Sequence, residues 1–370
     1  MKQPRIILSG GGTGGHIFPA IAIANALKEK RPDAVILFVG ADKRMEMERV
    51  PAAGYEIVGL PVRGFNRSRL LSNVSVLVDL LRSLLKARRL VRQFKPDVAV
   101  GVGGYASGPL LRAAAAAGVP TLIQEQNSYA GVTNKLLAAK AAAICVAYPD
   151  MERFFPKEKI LLTGNPVRSD LLQALDKRGE ALEAYGLDPS KRTLLVMGGS
   201  LGARTLNESV IAGLDQLAAA TDVQVIWQTG RYYHASILER LEGKIPANVR
   251  VLEFLQTMNL AYAAADLIVS RAGASSISEC CLLSKPVILV PSPNVAEDHQ
   301  TRNAMALVKE EAAVLIPDAE AVQRLIPEAL SLIHSPVQLK ALSTHIVKLA
   351  QYDSDKRIAD KILDLIPSQS

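Results

Sequence analysis

The sequence predicts an α/β protein of two doubly wound, Rossmann-like domains with a cleft between them. Three observations carry that expectation. At 370 residues the chain exceeds what one core organises, because single cores stop growing at about 250–300 residues. Short apolar, β-branched runs alternate with helical patterns through both halves, as in parallel sheets covered on both faces. Glycine-rich loops follow three of these runs where strand gives way to helix, and doubly wound folds bind ligands at such carboxyl ends.

In the first half the strand-like runs are RIILSG, AVILFVG, DVAVGVGG, PTLIQEQ and AAICVAY. In the second they are TLLVMGGS, VQVIWQTG, VRVLEFL, DLIVSRAG and PVILVPS. A strand-like ILLTG stops at the turn Thr163-Gly164-Asn165-Pro166, which places the boundary there. The expected domains are residues 1–164 and 165–342, with a helical tail, about 343–370, packing back on the first.

The glycine loops are GGTGGH (11–16), GGYASGP (103–109) and GGSLGA (198–203). Glycine lets backbone N–H groups come close to a ligand, and the following helix aims its positive end at the same place. A diphosphate-bearing ligand, or two anionic ligands, would suit them. Gly10, Gly12 and Gly15 also satisfy the dinucleotide fingerprint G-x-G-x-x-G. That fingerprint wants an acid about 20 residues on, whereas Asp42 comes 27 residues after Gly15. His16 and Pro19 in the first helical turn have no part in such a site, so a dehydrogenase is disfavoured.

SRAGASSISE (270–279) follows a strand and opens a helix. Gly273 permits the turn, and Ala274, Ser275 and Ser276 offer N–H groups and hydroxyls to a phosphate. Glu279 could accept from the vicinal hydroxyls of a ribose, or simply complement the helix dipole. His299, Gln300 and Asn303 at the next strand exit suit sugar hydroxyls, or cap a solvated loop. Glu125 beside Asn127 in QEQNSYAG is either catalytic or a tie for the turn. Arg168 in GNPVR could grip a diphosphate bidentately or lie on the surface.

The net charge of +7 is concentrated: between Arg63 and Lys95 stand nine basic residues and one acid, Asp79. Such a patch implies an anionic surface or ligand. The start MKQPRIILSGGG has no h-region, and no run of about 18 apolar residues follows, so a cytoplasmic protein spanning nothing is expected. Cys145, Cys280 and Cys281 show no metal spacing and read as reduced and structural. Asp353-Ser354-Asp355, the one D-x-D, follows no strand and does not suggest a nucleotide-sugar metal site.

GGTGGHIFPA, VGGYASGP, EQNSYAGVTNK, GNPVR, GGSLGARTLN, SRAGASSISE and HQTRNA, in this order over about 300 residues, closely resemble the MurG family. These are bacterial N-acetylglucosaminyl transferases that convert lipid I to lipid II in peptidoglycan synthesis. The resemblance implies a GT-B fold and inverting transfer of N-acetylglucosamine from UDP-N-acetylglucosamine to the 4-hydroxyl of undecaprenyl-diphospho-N-acetylmuramyl-pentapeptide. The second domain would hold the donor and the first the acceptor.

By the same likeness, Ser200 and Arg168 would contact the donor diphosphate and uridine region, while Phe254 and Leu255 frame the uracil. Ala274, Ser275 and Ser276 would seat the phosphates, Glu279 the ribose, and Gln300 with His299 the sugar hydroxyls. Thr13, Gly14, Gly15 and Asn127 would reach the transferred sugar. Gly103, Gly104, Tyr105 and Ser107 would serve the acceptor. Two positions depart from the family pattern: Gln124 stands where a histidine is common, and His299 where a first glutamine is common. Another enzyme of the fold, such as a UDP-N-acetylglucosamine 2-epimerase, is the alternative, and a non-catalytic nucleotide-sugar sensor a third.

Inversion by direct displacement needs a base. His16 leads, since an imidazole's ordinary pKa near 6.5 suits the task, and Glu125 is second. Helix N-termini and Arg168 can stabilise departing UDP without a required metal, though magnesium ions on the substrate phosphates are compatible. The lipid acceptor requires docking at the cytoplasmic face of the inner membrane. In residues 74–95, Val74, Leu77, Leu81, Leu84 and Leu85 recur at helical spacing among Arg82, Lys86, Arg88, Arg89 and Arg92, which suits anionic lipid. Alternatively, part of the leucine stripe covers the sheet. Nucleic acid ranks far lower, because only Phe65 and Phe94 interleave the charges and no binding motif is present.

Overall fold

The computed structural model describes residues 3–63, 73–167, 171–174 and 176–367. Two compact units form, one from Met1–Arg168 with Gln351–Ser370, the other from Ser169–Ala350.

In the first unit the strands are β1 Arg5–Ser9, β2 Val35–Ala41, β3 Glu56–Leu60, β4 Val98–Gly101, β5 Thr121–Glu125, β6 Ala143–Val146 and β7 Ile160–Leu162. Among the described residues they form one parallel sheet in the order β3-β2-β1-β4-β5-β6-β7. Its helices are α1 Gly14–Lys30, α2 Glu46–Ala52, α3 Asn73–Phe94, α4 Ser107–Ala116 and α5 Val132–Leu137.

The period-two alternation of a strand sends neighbouring residues to opposite faces. Ile7, Leu37, Val39 and Ile123 therefore pack under Ala87 and Val91 of α3 and Leu110 and Leu111 of α4. Ile6, Leu8, Phe38 and Val100 face the other way, onto Ile17, Ile23 and Leu27 of α1. Ile358, Ala359 and Ile362, near the end of the chain, complete this second layer. With both faces covered, the strands can be apolar throughout, which is why they read as unbroken runs.

The second unit repeats the plan. Its strands are β8 Arg192–Met197, β9 Val223–Gln228, β10 Val249–Leu252, β11 Leu267–Ser270, β12 Val287–Leu289 and β13 Val314–Leu315. They are parallel in the order β10-β9-β8-β11-β12-β13 among the described residues. The helices are α6 Arg178–Ala184, α7 Arg204–Ala212, α8 Leu214–Ala219, α9 His234–Leu241, α10 Met258–Ala264, α11 Ala274–Leu282, α12 His299–Val308, α13 Ala321–Ile333 and α14 Pro336–Ile346. Helix α15, Ser354–Asp364, belongs to the first unit.

The helical tail therefore divides. Of the tail expected over 343–370, the stretch to Ala350, with the end of α14, stays with the second unit, and only the part from Gln351, with α15, lies with the first, where Asp360 pairs with Lys30 at 2.6 Å. In each unit the strand order reverses beside the first strand, between β1 and β4 and between β8 and β11. Ligands of such sheets bind at these switch points. GGTGGH and GGYASGP leave the strands flanking the first, and GGSLGA and RAGASS those flanking the second.

Candidate active site

In the first unit, the Thr13 carbonyl accepts from the N–H groups of His16 (3.1 Å) and Ile17 (3.2 Å). His16 thus lies in the first turn of α1, at the positive end of the helix. The loop after β4 lies against its ring: a Cβ on Gly103 would come within 2.7 Å of His16 Nδ1 and Cε1. Gly103 also has φ +110°, so glycine here answers both a close approach and a left-handed backbone.

The first glycine loop already holds an anion of its own. Glu46 in α2 is fully buried, and its carboxylate accepts from Gly12 N at 2.9 Å and Ala41 N at 3.0 Å. A Cβ on Gly11 would fall 2.1 Å from Glu46 Oε1. The Gly12 N–H is therefore taken up inside the protein, by the Glu46 carboxyl, and is not turned toward a ligand. The same contact weighs against a dinucleotide. Nothing in the local sequence distinguished Glu46, since its partners lie on two other elements.

His16 Nδ1 lies 3.0 Å from Gln126 Oε1. The Gln126 amide donates to the Val102 carbonyl and to Gln124 Oε1. Gln124 Nε2 donates to Asn165 Oδ1 (3.0 Å), and Asn165 Nδ2 donates back to the Gln126 carbonyl (3.1 Å). All three amide residues are at most 2% exposed. Gln126 and Asn165 were not singled out as site residues in the sequence, although both stand inside motifs it offered.

The Glu125 carboxylate is committed to its own loop. One oxygen accepts from Asn127 N (3.1 Å) and Nδ2 (3.3 Å), the other from Gly131 N (3.0 Å) and Asn134 Nδ2 (2.8 Å). That is the turn-tying alternative. Ser107 is fully buried and donates to the carbonyls of Gly103 (2.8 Å) and Ser9 (3.2 Å). It supports the loop instead of offering a hydroxyl to an acceptor. Thr13, Gly15 and Tyr105 are exposed, and Gly14 and Gly104 half-buried.

In the second unit, Ala274, Ser275 and Ser276 form the half-buried first turn of α11, entered through Gly273 in an extended conformation. One turn on, Glu279 accepts from Tyr262 Oη at 2.6 Å. Gln300 Oε1 accepts from Ser292 N at 2.8 Å, which fastens α12 to the strand exit. Glu297 and Asp298, before His299, are both left-handed (φ 55° and 52°), a strain that non-glycine residues keep only where surroundings enforce it. His299 itself is half-buried and Ser200 exposed. Phe254 is 40% exposed beneath the Arg231 guanidinium at 5.6 Å, whereas Leu255 is buried at 5%. Only the phenyl ring of that pair presents a face to a ligand.

Two supporting residues escaped the sequence reading. Arg271, inside SRAGASS, donates to the carbonyls of Val290 (3.1 Å) and Pro291 (3.2 Å) and pairs with Asp318, itself bonded to Thr205. Gln228 binds Gly198 N, the Gly199 carbonyl and the Glu253 carbonyl, joining the exits of β8, β9 and β10. Arg168 lies outside the described residues.

On α3 the buried face is Val76, Ser83, Ala87 and Val91. Leu77, Leu81 and Leu85 are 51%, 62% and 65% exposed, so the sheet-covering alternative holds in part for Leu84 alone, which is half-buried. Arg82, Lys86, Arg88, Arg89 and Arg92 are exposed. Phe65, Arg67 and Arg69 lie outside the described residues, and so does the side chain of Val74. Among the described residues, no helix is long and apolar enough to cross a membrane.

Residues 6–146 match the glycosyltransferase family 28 N-terminal domain and residues 193–358 its C-terminal domain. The chain is 62% identical to the UDP-N-acetylglucosamine--N-acetylmuramyl-(pentapeptide) pyrophosphoryl-undecaprenol N-acetylglucosamine transferase of Parabacteroides distasonis, over 99% of each chain. It is 61% identical to the protein of the same name from Bacteroides fragilis, over 98% of this chain and 95% of that one. Among solved structures it resembles Acinetobacter baumannii MurG (TM-score 0.78, 27% identity, 98% and 99% covered). It also shares its fold with a UDP-GlcNAc 2-epimerase from Neisseria meningitidis (TM-score 0.70, 14% identity, 97% and 100% covered).

Proposed function

The chain belongs to glycosyltransferase family 28, and from that premise we propose that it makes lipid II. It transfers N-acetylglucosamine from UDP-N-acetylglucosamine, with inversion, to the 4-hydroxyl of the muramyl sugar of undecaprenyl-diphospho-muramyl-pentapeptide. The observation that carries this reading is the 62% identity along the whole chain to a transferase of that name.

His16 serves as the base. As the acceptor oxygen attacks the anomeric carbon, its proton passes to the imidazole, the β-1,4 bond forms and the bond to the diphosphate breaks, releasing UDP. Support for His16 over Glu125 comes from the four donors that hold Glu125 in its loop. The N-terminus of α11, with Ser275, Ser276 and Arg168, meets the developing negative charge of the leaving group. Glu279 binds the ribose, Phe254 the uracil, Gln300 and His299 the sugar hydroxyls. No resident metal is required in this reading, and magnesium ions carried by the substrate phosphates are compatible with it.

The acceptor is a membrane lipid, so the enzyme works as a peripheral protein at the cytoplasmic face of the inner membrane. The exposed leucines and arginines of α3 make the contact with anionic lipid. UDP release, measured with and without a short-chain lipid I analogue, tests the reading. Release that requires the analogue in the wild type and falls by about a hundredfold or more in His16→Ala supports it. UDP release indifferent to the analogue sinks the assigned acceptor.

A further inference from the structure

The amide chain behind His16 has only one consistent orientation. A backbone carbonyl can accept and cannot donate. The group of Gln126 facing the Val102 carbonyl must therefore be its NH2, and its oxygen is the atom that faces His16. The far end of the amide chain is fixed in the same way. Asn165 must turn its NH2 to the Gln126 carbonyl and its oxygen to the NH2 of Gln124, whose oxygen then takes the second proton of the Gln126 amide. Both ends give Gln126 the same orientation. Since Gln126 Oε1 can only accept, His16 Nδ1 must carry a hydrogen, and in the neutral ring the lone pair is then on Nε2.

From this geometry we propose that Gln126 is a positioning residue that fixes His16 as its Nδ1–H tautomer and so makes Nε2 the proton-accepting atom. The inference rests on reading His16 as the base. Three neutral amides, Gln126, Gln124 and Asn165, form the support. The device therefore holds the tautomer without a titrating group in the chain. Holding an imidazole in one tautomer is a contribution separable from its basicity.

The test is long-range proton–nitrogen NMR on the full chain labelled with ¹⁵N-histidine, at a pH where the rings are neutral. His16 is assigned among the five histidines by its loss in His16→Ala. In the wild type, Nδ1 should resonate as a pyrrole-type nitrogen and Nε2 as a pyridine-type one; the reverse pattern overturns the proposal without need of any variant. In Gln126→Met the pattern should relax to a mixture. With it kcat should fall by about tenfold or more while KM for UDP-N-acetylglucosamine stays within about twofold. An unchanged tautomer in a folded Gln126→Met overturns it. If His16→Ala keeps full turnover, the reading of His16 as base fails, and the spectrum still reports the tautomer separately.

Discussion

Tyr262 donates its hydroxyl to Glu279 Oε2 at 2.6 Å, from a ring that is 1% exposed to a carboxylate that is 9% exposed. A tyrosine on α10 thus fixes the rotamer of an acid on α11, with its hydroxyl proton committed to one oxygen. Tyr262→Phe should raise KM for the UDP-sugar by about five- to thirtyfold, the equivalent of about 1–2 kcal/mol. In the role proposed for Glu279 at the ribose, kcat should change far less, because the ribose does not react. Steady-state kinetics with saturating acceptor decide it, and an unchanged KM would remove Glu279 from donor binding.

Glu46→Gln should destabilise the first unit by about 1–3 kcal/mol, since an amide must turn its NH2 toward either the half-buried Gly12 donor or the buried Ala41 donor and leaves that N–H without this partner. The urea midpoint followed by far-ultraviolet circular dichroism measures this. A variant as stable as the wild type would show that the loop does not depend on its internal carboxylate.

Leu81 and Leu85 are mostly exposed and lie outside the core of the first unit, so Leu81→Ser with Leu85→Ser should lower stability by no more than about 1 kcal/mol, through helix propensity. Binding to vesicles containing phosphatidylglycerol should weaken by about tenfold or more, given about 1.5–3 kcal/mol per fully buried leucine. Added salt should weaken wild-type binding as well. Equal sedimentation of variant and wild type with vesicles argues against docking through α3.

Lys285 donates to the Ala265 carbonyl at 2.7 Å, and burial pushes its ammonium down from 10.5 to about 8. Below pH 8 both the folded and unfolded chains carry the charge, and the folded one carries it in a poorly solvated place. Between pH 8 and 10.5 the unfolded chain binds more protons, so stability rises with pH in that window. Relative to Lys285→Met, the wild type should gain on the order of 2 kcal/mol across it. The fluorescence of Trp227, the single tryptophan and fully buried in the same unit, follows the unfolding. Parallel stability curves for the two proteins would refute the shift.

The strands most legible in the sequence were the central ones, because burial on both faces writes an unbroken apolar run. The edge strands β3 and β13 left weaker marks. EIVGL begins exposed and only its last two residues are buried, and β13 is two residues of intermediate exposure. Motifs at the strand exits pointed to His16, Glu279 and the first turn of α11 as candidates, since glycines and helix starts are local features. Their supports were not legible. Gln126 reaches His16 across 110 positions and Arg271 reaches Asp318 across 47, through strand orders that no local pattern encodes, and a buried glutamine looks like any other glutamine.

The first unit closes its core with α15, from the last residues of the chain, and the whole second unit is inserted before it. A ribosome adds about 5–20 residues per second, so the sheet, its last strand made at β7, waits on the order of ten to forty seconds for Ile358, Ala359 and Ile362. Throughout that interval the surface of α1 that α15 will cover stays open to chaperones or to aggregation. What is made first is finished last, and a chain cut short by its final twenty residues would keep a folded second unit and an incomplete first.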